Sequence, residues 1–357
     1  MVRLVSREAI SALELLGLSN YEAKVYLALL RLGEATAQEI SKESGIPYSR
    51  IHGVLNSLAD KGLIEVILLR PKKYRLINPQ LALNILADKL KRKIDTSKEI
   101  ILSIAQQCRE APKITDIEFG VIQDKDVLEA LAVSLIKTAS KELLLSVPID
   151  FALRISHILE ELREKKIHIA LNLYNVTRGE DLEKLQMVAD EIRFRESPNA
   201  FIIVKDFEEA VYSPKIRVGA KRPFTSLHII GDDLIYIFSS FYYHHIWAFS
   251  KTYKAIEHEF NKEWIRTYVH IWTLLDALEK LKKKKYKVKL RIKGYWVKTG
   301  EPVSIEGEVV RVIRFLEKGL HSVEVNVKGK VYSIGGYRAS IEDIEGREFI
   351  VKAFMEE

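Results

Sequence analysis

The chain lacks several features that would otherwise point to a function class. It has a single cysteine, Cys108, which excludes an internal disulfide framework and any cysteine-based zinc site within one chain. It has no apolar run long enough to span a membrane, and its first residues show no signal-peptide hydrophobic segment. The glycine-rich phosphate loops and the nucleophile elbow are also missing. These absences predict a cytoplasmic protein without a cofactor or a metal site.

The composition indicates a folded, multidomain chain. Of its 357 residues, 47% are hydrophobic, which is enough to bury substantial cores. The length predicts two to three domains. The formal net charge is +7 and is unevenly distributed along the chain, which favours a nucleic-acid partner.

The stretch from Thr36 to Gly62 predicts two short helices joined by a tight turn. Thr36 and Glu39 have capping-box spacing, which starts a helix, and Gly45 allows that helix to end in a turn. Pro47 suits the first position of the second helix, because its missing N–H would have no partner there. The buried stripe of the second helix should consist of Ile51, Val54, Leu55 and Leu58. This order of elements is typical of a helix-turn-helix that enters a major groove.

The opposite face of the second helix is polar and is expected to face DNA. It carries Tyr48, Ser49, Arg50, His52 and Asn56. By donor geometry, Arg50 and Asn56 are the expected readers of base edges. Strand-like residues 63–69 and 74–77, joined by a turn, predict a hairpin wing. The cations of this wing, suited to phosphates, are Arg70, Lys72, Lys73 and Arg75. The alternative, a plain helical hairpin with a solvated charge run, does not account for this order of helix pair, turn and basic wing.

The pattern from Pro79 to Glu110 predicts one long helix with an apolar stripe. The stripe, at spacings of three and four, consists of Leu83, Leu86, Leu90, Ile94, Ile101, Ile104 and Cys108, with Ser97 interrupting it. It could pair two chains as a coiled coil, or pack on the next domain of its own chain. Pairing is favoured because a two-fold dimer places two recognition helices one helical turn apart on DNA.

From residue 112 the pattern changes to alternating strands and helices, which predicts an α/β layer with a largely covered sheet. The expected strands are Ile114 to Ile122, Glu142 to Val147, Ile167 to Leu173 and Phe201 to Lys205. Phe224 to Phe238 predicts a strand pair that turns at Gly231. A long helix is expected from Thr252 to about Lys284. Residues 286–357 then predict short strands punctuated by glycines, as in a small β-barrel or sandwich.

The segment from Ser226 to Ser240 resembles the strand pair that carries the active site in the phospholipase D fold. That family needs a His-x-Lys sequence, and here His228 is followed by Ile230 at the lysine position. An isoleucine cannot neutralise a phosphate, so the resemblance favours the fold and argues against an enzyme. His244 and His245 are expected on a strand, where adjacent side chains point to opposite faces and do not share a metal ion.

Together these parts resemble the TrmB family of archaeal sugar-responsive transcriptional regulators over nearly the whole chain. The matching stretches are Ser44-Gly-Ile-Pro-Tyr-Ser-Arg-Ile with Lys61-Gly-Leu-Ile-Glu, the phospholipase-like segment, and Gly335-Gly-Tyr-Arg-Ala-Ser-Ile-Glu-Asp. The resemblance implies a multidomain α+β chain. Its expected parts are a winged helix-turn-helix (1–78), a helical coiled-coil linker (79–111), an α/β phospholipase D-like domain without the catalytic motif (112–285) and a β-rich sugar-binding domain (286–357).

The resemblance also implies function. It implies a homodimer that binds double-stranded promoter DNA, with maltose, maltotriose or a similar sugar as effector. The residues it assigns to the sugar are Gly336, Arg338, Glu342 and, from the middle domain, Ser240. The backbone of Gly336 can approach a ligand closely, and Glu342 can accept bonds from vicinal hydroxyls. Trp296 and Asn326 are added as a flat apolar face and an amide, although the core or surface of a barrel is the favoured interpretation of each.

Two other function classes remain open at this level. One is a phosphodiesterase tethered to DNA, which the isoleucine at position 230 disfavours. The other is a constitutive architectural protein that coats DNA. It would show salt-sensitive binding without sequence preference and without a response to an effector.

Overall fold

A computed structural model describes residues 2–107, 118–214, 225–260, 263–315 and 320–355. The chain divides into two compact units, Met1–Lys113 and Ile114–Glu357. The helices of the first unit are α1 (Val2–Leu15), α2 (Asn20–Leu32), α3 (Ala37–Ser44), α4 (Tyr48–Asp60) and α5 (Pro79–Gln107), and its strands are β1 (Glu34–Thr36), β2 (Ile64–Ile67) and β3 (Lys73–Leu76). No helix within these ranges combines the length and apolarity needed to cross a bilayer.

Capping boxes start α2 and α3. The side chains of Ser19 and Thr36 accept bonds from the backbone N–H groups of Glu22 and Glu39, whose carboxylates accept the cap N–H groups in return. Helix α3 ends at Gly45, which has a left-handed φ of 71° that glycine adopts without a Cβ penalty. The predicted helix pair and its glycine turn are therefore confirmed.

Helix α4 packs through the predicted apolar stripe. Ile51, Leu55 and Leu58 are fully buried in a core that also contains Leu29 of α2. Pro47 is the N-cap that precedes this helix, one position before the one predicted. Strands β2 and β3 form the antiparallel wing, and β1 adds to β3, giving the order β1-β3-β2. Strand β1 escapes prediction because three residues are too few to show a period.

Helix α5 has two different halves. Ala82 and Leu86 are buried in the core of the winged helix. Further along the same stripe, Ile94, Ile101 and Ile104 remain 58%, 64% and 48% exposed. Positions 108–110 of the predicted helix, including Cys108, lie outside the described residues. The C-terminal half of α5 thus carries an unburied apolar stripe.

The second unit begins with an eight-stranded mixed sheet. Its strands are β4 (Glu118–Ile122), β5 (Glu142–Pro148), β6 (His168–Tyr174), β7 (Glu191–Phe194), β8 (Phe201–Lys205), β9 (Glu209–Ser213), β10 (Ser226–Ile230) and β11 (Lys251–Lys254), and its helices are α6 (Lys125–Lys137), α7 (Ile149–Arg154), α8 (Ser156–Glu164), α9 (Gly179–Lys184) and α10 (Asp232–Phe241). The strand order is β11-β7-β6-β5-β8-β9-β10-β4, with β5, β6 and β7 parallel. Helices α6 to α9 pack on one face, and α10 packs on the other. The predicted α/β layer is confirmed.

The predicted strand pair over Phe224 to Phe238 is wrong in its second half. Strand β10 ends at Ile230, and after Gly231 the chain forms helix α10. A short apolar run fits a strand or a buried helix equally well, and here the burial of Ile235 against the sheet selects the helix. The helical path continues through residues 242–249, so His244 and His245 lie on a helical turn and not on a strand.

The predicted helix from Thr252 to about Lys284 is also wrong. The chain instead forms β11, a 3₁₀ turn at Ile256–Glu259, strand β12 (Glu263–Tyr268) and helix α11 (Ile271–Lys283). Trp264 and Tyr268 of β12 are buried, four residues apart on the same face of the strand. Such spacing of four also fits one face of a helix, which is why the pattern misleads.

The remaining strands form a second sheet around α11. They are β13 (Tyr286–Trp296), β14 (Pro302–Phe315), β15 (Leu320–Val327), β16 (Lys330–Gly335) and β17 (Ile344–Met355). The order is β12-β17-β13-β14-β15-β16, and a parallel pairing of β16 with β17 closes a ring of five strands. Leu274, Leu278 and Leu281 of α11 are buried against the inner face of this sheet. The C-terminal core therefore includes β12 and α11, which precede the predicted boundary at residue 286.

Candidate functional site

Helix α4 presents the polar face expected from the sequence. Tyr48, Ser49, Arg50, His52 and Asn56 are all exposed. The rings of Tyr48 and His52 meet edge to face with centroids 5.3 Å apart. The Arg50 guanidinium lies 5.8 Å from the ring centre of Tyr21 on α2. The face thus combines guanidinium, amide, hydroxyl and imidazole groups of the types that contact base edges and phosphates.

The cations of the wing differ in how they are paired. Lys73 and Arg75 lie 3.1 Å and 2.8 Å from carboxylates on the neighbouring strands β1 and β2. Arg70 and Lys72 lie in the turn between β2 and β3, are exposed, and form no ion pair with any described residue. The tip of the wing therefore carries two positive charges that are available to an external anion.

A buried carboxylate holds α4 against α2. Glu22, 4% exposed, accepts a 2.6 Å bond from the Ser57 hydroxyl and pairs with Lys61 at 2.6 Å. Burial raises the pKa of Glu22, but the hydrogen bonds from Lys61 and Ser57 outweigh that effect, and the pKa is lowered. Glu22 is visible in the sequence only as part of a capping box, because its partners lie more than thirty residues away.

In the second unit, the stretch from Gly335 to Asp343, called the C-terminal motif below, contacts the start of α10. The Tyr337 hydroxyl donates a 2.5 Å bond to Asp233, and Arg338 lies 2.7 Å from the same carboxylate. Arg347 pairs with the neighbouring Asp232. Arg338 has a φ of 62°, a left-handed conformation that costs a non-glycine residue about 1–2 kcal/mol. The motif is thus joined to α10 by charged contacts and by one strained residue.

Aromatic rings occupy the space between α10 and the C-terminal sheet. The Tyr337 ring lies 5.3 Å from Phe207 and 5.7 Å from Tyr236, which is 5.4 Å from Trp272. Ser240 is half-buried and follows Tyr236 by one turn of α10, so it lies on the same side of the helix. The interface therefore combines flat ring faces with carboxylates and a hydroxyl.

Two motif residues are held by close packing. A Cβ at Gly336 would lie 2.7 Å from the side chain of Ile271 on α11. A Cβ at Gly335 would lie 2.9 Å from the carboxyl carbon of Glu342. Glycine is therefore required at both positions by the fold itself, and Glu342 folds back over the start of its own loop.

The sheet places Trp296 and Asn326 differently. Trp296 is half-buried, packs 5.5 Å from the Tyr332 ring, and pairs with the residue that follows the motif. Asn326 is exposed at the β15–β16 turn, where its amide oxygen accepts a 2.9 Å bond from the turn glycine. Asn326 pairs with Val331 on β16, and Gly335 lies four residues further along that strand, about 13 Å away at roughly 3.3 Å per residue. The four residues that the family resemblance assigns to the sugar therefore lie in the C-terminal motif or on α10. They are Ser240, Gly336, Arg338 and Glu342.

Residues 228–230, where the phospholipase D family has His-x-Lys, do not have that family's pair of histidine and lysine. His228 Nε2 lies 2.7 Å from Glu209 Oε1, and Lys205 lies 3.3 Å from the other oxygen of that carboxylate. The hydrogen bond from His228 lowers the pKa of Glu209. The histidine is thus engaged with a carboxylate, and Ile230 on the same face supplies no charge. Within the described ranges, no group of three or more histidine, cysteine or acidic side chains is placed to hold a metal ion.

A buried polar network joins the eight-stranded sheet to α10 and α11. Glu142 on β5 accepts bonds from the N–H groups of Val269 and His270 and from the Thr273 hydroxyl, at 2.7, 3.0 and 2.5 Å. His270 also lies 3.0 Å from Glu142 through Nδ1 and 2.9 Å from Ser239 through Nε2. Burial raises the pKa of Glu142, but the contacts with His270 outweigh it and lower the pKa. No sequence signal shows this network, because its members are up to 131 residues apart.

Three family models match the chain. Sugar-specific transcriptional regulator TrmB matches residues 13–80, the N-terminal EBD subdomain of transcriptional regulator TrmB matches 118–254, and the C-terminal EBD subdomain of TrmB/TrmBL1 matches 264–354. A curated relative, the HTH-type sugar sensing transcriptional regulator TrmBL1 of Pyrococcus furiosus, is 25% identical over 358 residues, 98% of this chain and 99% of the relative. The uncharacterized protein YrhO of Bacillus subtilis is 43% identical over 51 residues, 14% of this chain and 18% of its own.

Solved structures show weaker similarity. TrmBL2, described as an archaeal chromatin protein with a novel mode of DNA binding, covers 69% of this chain and 100% of its own at 17% identity, with a TM-score of 0.44. Nuc of Salmonella typhimurium, a phospholipase D family member, covers 39% of this chain and 98% of its own at 13% identity, with a TM-score of 0.29. Both scores are too low to support a functional comparison.

Proposed function

The chain belongs to the TrmB family of sugar-specific transcriptional regulators, and from this premise we propose that it binds double-stranded promoter DNA under the control of a sugar. The observation that carries the proposal is the exposed polar face of α4 beside two cations at the wing tip that pair with no described carboxylate. Arg50 and Asn56 contact base edges, because a guanidinium pairs bidentately with guanine and an amide with adenine. Ser49 and the wing contact phosphates and position the helix in the groove.

The wing provides a test of DNA contact. Replacing Arg70 and Lys72 together by alanine removes the two exposed cations of the wing tip. Each lost phosphate contact should reduce the slope of log affinity against log salt by about 0.9. Affinity should fall for all sequences alike, since phosphate contacts do not read bases. The measurement is a DNA titration at several salt concentrations.

Arg75→Ala is the matched control for the wing. Its guanidinium is held 2.8 Å from a carboxylate on β2, so its removal should change the slope by less. Equal slopes for the double variant and the wild type would contradict wing contact with phosphate.

The protein acts as a cytoplasmic homodimer in this proposal. The exposed stripe of Ile94, Ile101 and Ile104 on α5 has the spacing of a coiled-coil seam. Two copies paired along it would place two α4 helices on successive turns of a duplex, which is the arrangement that a symmetric operator requires.

The effector, in this proposal, is maltose, maltotriose or a similar sugar bound beside α10 and the motif. Glu342 accepts hydrogen bonds from vicinal hydroxyls, and the aromatic faces at this interface suit the C–H faces of a sugar ring. A sugar that displaces Tyr337 or Arg338 from Asp233 would also free the strained φ of Arg338. Control of DNA binding can be no larger than the difference in the sugar's affinity for the two states.

Glu342→Ala should weaken sugar binding at least tenfold, because a hydrogen bond to a charged group contributes about 1.5–3 kcal/mol. The experiment is calorimetry with maltose, maltotriose, trehalose, sucrose and glucose, supported by thermal shift, since a ligand of the native state raises the apparent stability.

Asn326→Ala is the matched control for the sugar site. Its side chain is engaged in the β15–β16 turn, so the change should leave sugar affinity intact while lowering the melting temperature slightly. Loss of sugar binding in this variant alone would place the site elsewhere. If none of the five sugars binds, the result would favour a non-sugar effector or the architectural role.

A further inference from the structure

Gly53 lies on the exposed face of α4 although the fold does not require a glycine there. A Cβ at this position would meet no atom within 4 Å, and its φ lies outside the left-handed region. By contrast, Gly33, Gly45 and Gly62 have φ values of 74°, 71° and 74°. Inside a helix, glycine is less favourable than every other residue except proline. Neither packing nor backbone conformation therefore explains this residue.

The surface around Gly53 is polar. Its neighbours one helical turn away are Ser49, Arg50, Asn56 and Ser57. A groove of about 380 Å³ runs from Gly53 to the first turn of α2, with Asn20 and Tyr21 on its far side and the Glu22 carboxylate, which pairs with Lys61, in its lining. Two cations flank Tyr21, with Arg50 and Lys24 at 5.8 and 6.0 Å from its ring centre. This surface suits a polar, negatively charged partner.

We infer that Gly53 marks the point of closest approach between α4 and DNA, with one strand of the duplex in contact with its Cα. The inference rests on the proposed DNA binding and adds to it a specificity-determining residue. The occupant is duplex DNA because Arg50 and Lys24 supply positive charge beside the groove, and the one carboxylate that lines it, Glu22, is buried and paired with Lys61. A methyl group at residue 53 would hold the strand off by about one carbon–carbon bond, roughly 1.5 Å.

The test is Gly53→Ala in the full chain, measured by thermal unfolding and by titration with a duplex that the wild-type protein has selected from a random-sequence pool. Alanine favours the helix and meets no obstacle, so the melting temperature of the first unit should rise by a few degrees. The dissociation constant for the duplex should nevertheless increase at least tenfold. A gain in stability combined with a loss of affinity is not expected from a residue with a structural role alone.

Gly179→Ala is the control, since this exposed glycine at the start of α9 likewise has room for a methyl group, with no atom within 4 Å of the place a Cβ would occupy. It should leave DNA affinity unchanged. Wild-type affinity in the Gly53 variant would overturn the inference, and so would a lower melting temperature, which would show that the fold needs the glycine. A wild-type chain that selects no duplex would instead contradict the proposed DNA binding.

Discussion

Replacing Glu142 by alanine is expected to lower the free energy of unfolding of the second unit by about 3–5 kcal/mol, the range observed when one partner of a buried charged network is removed. The change leaves two backbone N–H groups at the start of α11 and the Thr273 hydroxyl without their acceptor. His270 loses the carboxylate that positions it against Ser239. All of these groups are buried, so water cannot replace the lost bonds without opening the structure.

Chemical denaturation followed by tryptophan fluorescence measures this effect selectively. All four tryptophans, at positions 247, 264, 272 and 296, belong to the second unit. The control is Glu208→Ala, because the Glu208 side chain is 57% exposed and its surface ion pair should contribute less than about 1 kcal/mol. A loss of less than about 1 kcal/mol on removing Glu142 would show that the network is not needed for stability.

The effect of removing Glu142 should also depend on pH. Its pKa in the folded protein lies below the ordinary 4.5, so its contribution is fully present above that value. The contribution is lost as pH falls through the lowered pKa, because protonation then occurs in both folded and unfolded states. The difference between wild type and Glu142→Ala should therefore be largest near neutral pH and shrink in acid.

Replacing Ile101 and Ile104 together by aspartate is expected to convert a dimer into monomers and to weaken DNA binding at least a hundredfold. The two side chains are 64% and 48% exposed within one chain. Burial of an isoleucine contributes about 1.5–3 kcal/mol, and a symmetric seam would bury four of them. Aspartate would instead place four like charges in the seam, and a monomer would contact only one half-site.

Light scattering after size exclusion gives the oligomeric state, and the duplex titration gives the affinity. Ser103→Asp is the control, because it adds a negative charge to α5 away from the seam formed by residues 94, 101 and 104. It should remain dimeric. A dimeric double aspartate variant would show that the chains associate through another surface, and a monomeric wild type would exclude pairing altogether.

The sequence determined those parts whose physics is local. Thr36, Glu39 and Gly45 specify a helix, its start and its end through caps that span a few residues, and the structure has them as predicted. The polar face of α4 follows from a period of 3.6 residues. The alternation of strand patterns and helix patterns along the second unit predicted the α/β layer. The sequence also showed that Ile230 replaces the lysine that follows the histidine in the phospholipase pattern, while His228 remains.

Only the tertiary structure decided what short apolar runs become and which distant groups meet. The segment after Gly231 and the segment from Trp264 to Tyr268 each fit two kinds of element. Packing on the eight-stranded sheet made the first a helix, and pairing with β17 made the second a strand. The partners of Glu22 and Glu142 lie tens to more than a hundred residues away, so no spacing reveals them. Asn326 suits a sugar by its chemistry, and only the sheet register shows that it lies in the β15–β16 turn. Local bonding is encoded over a few residues, whereas burial and long-range polar contacts exist only once the chain has folded.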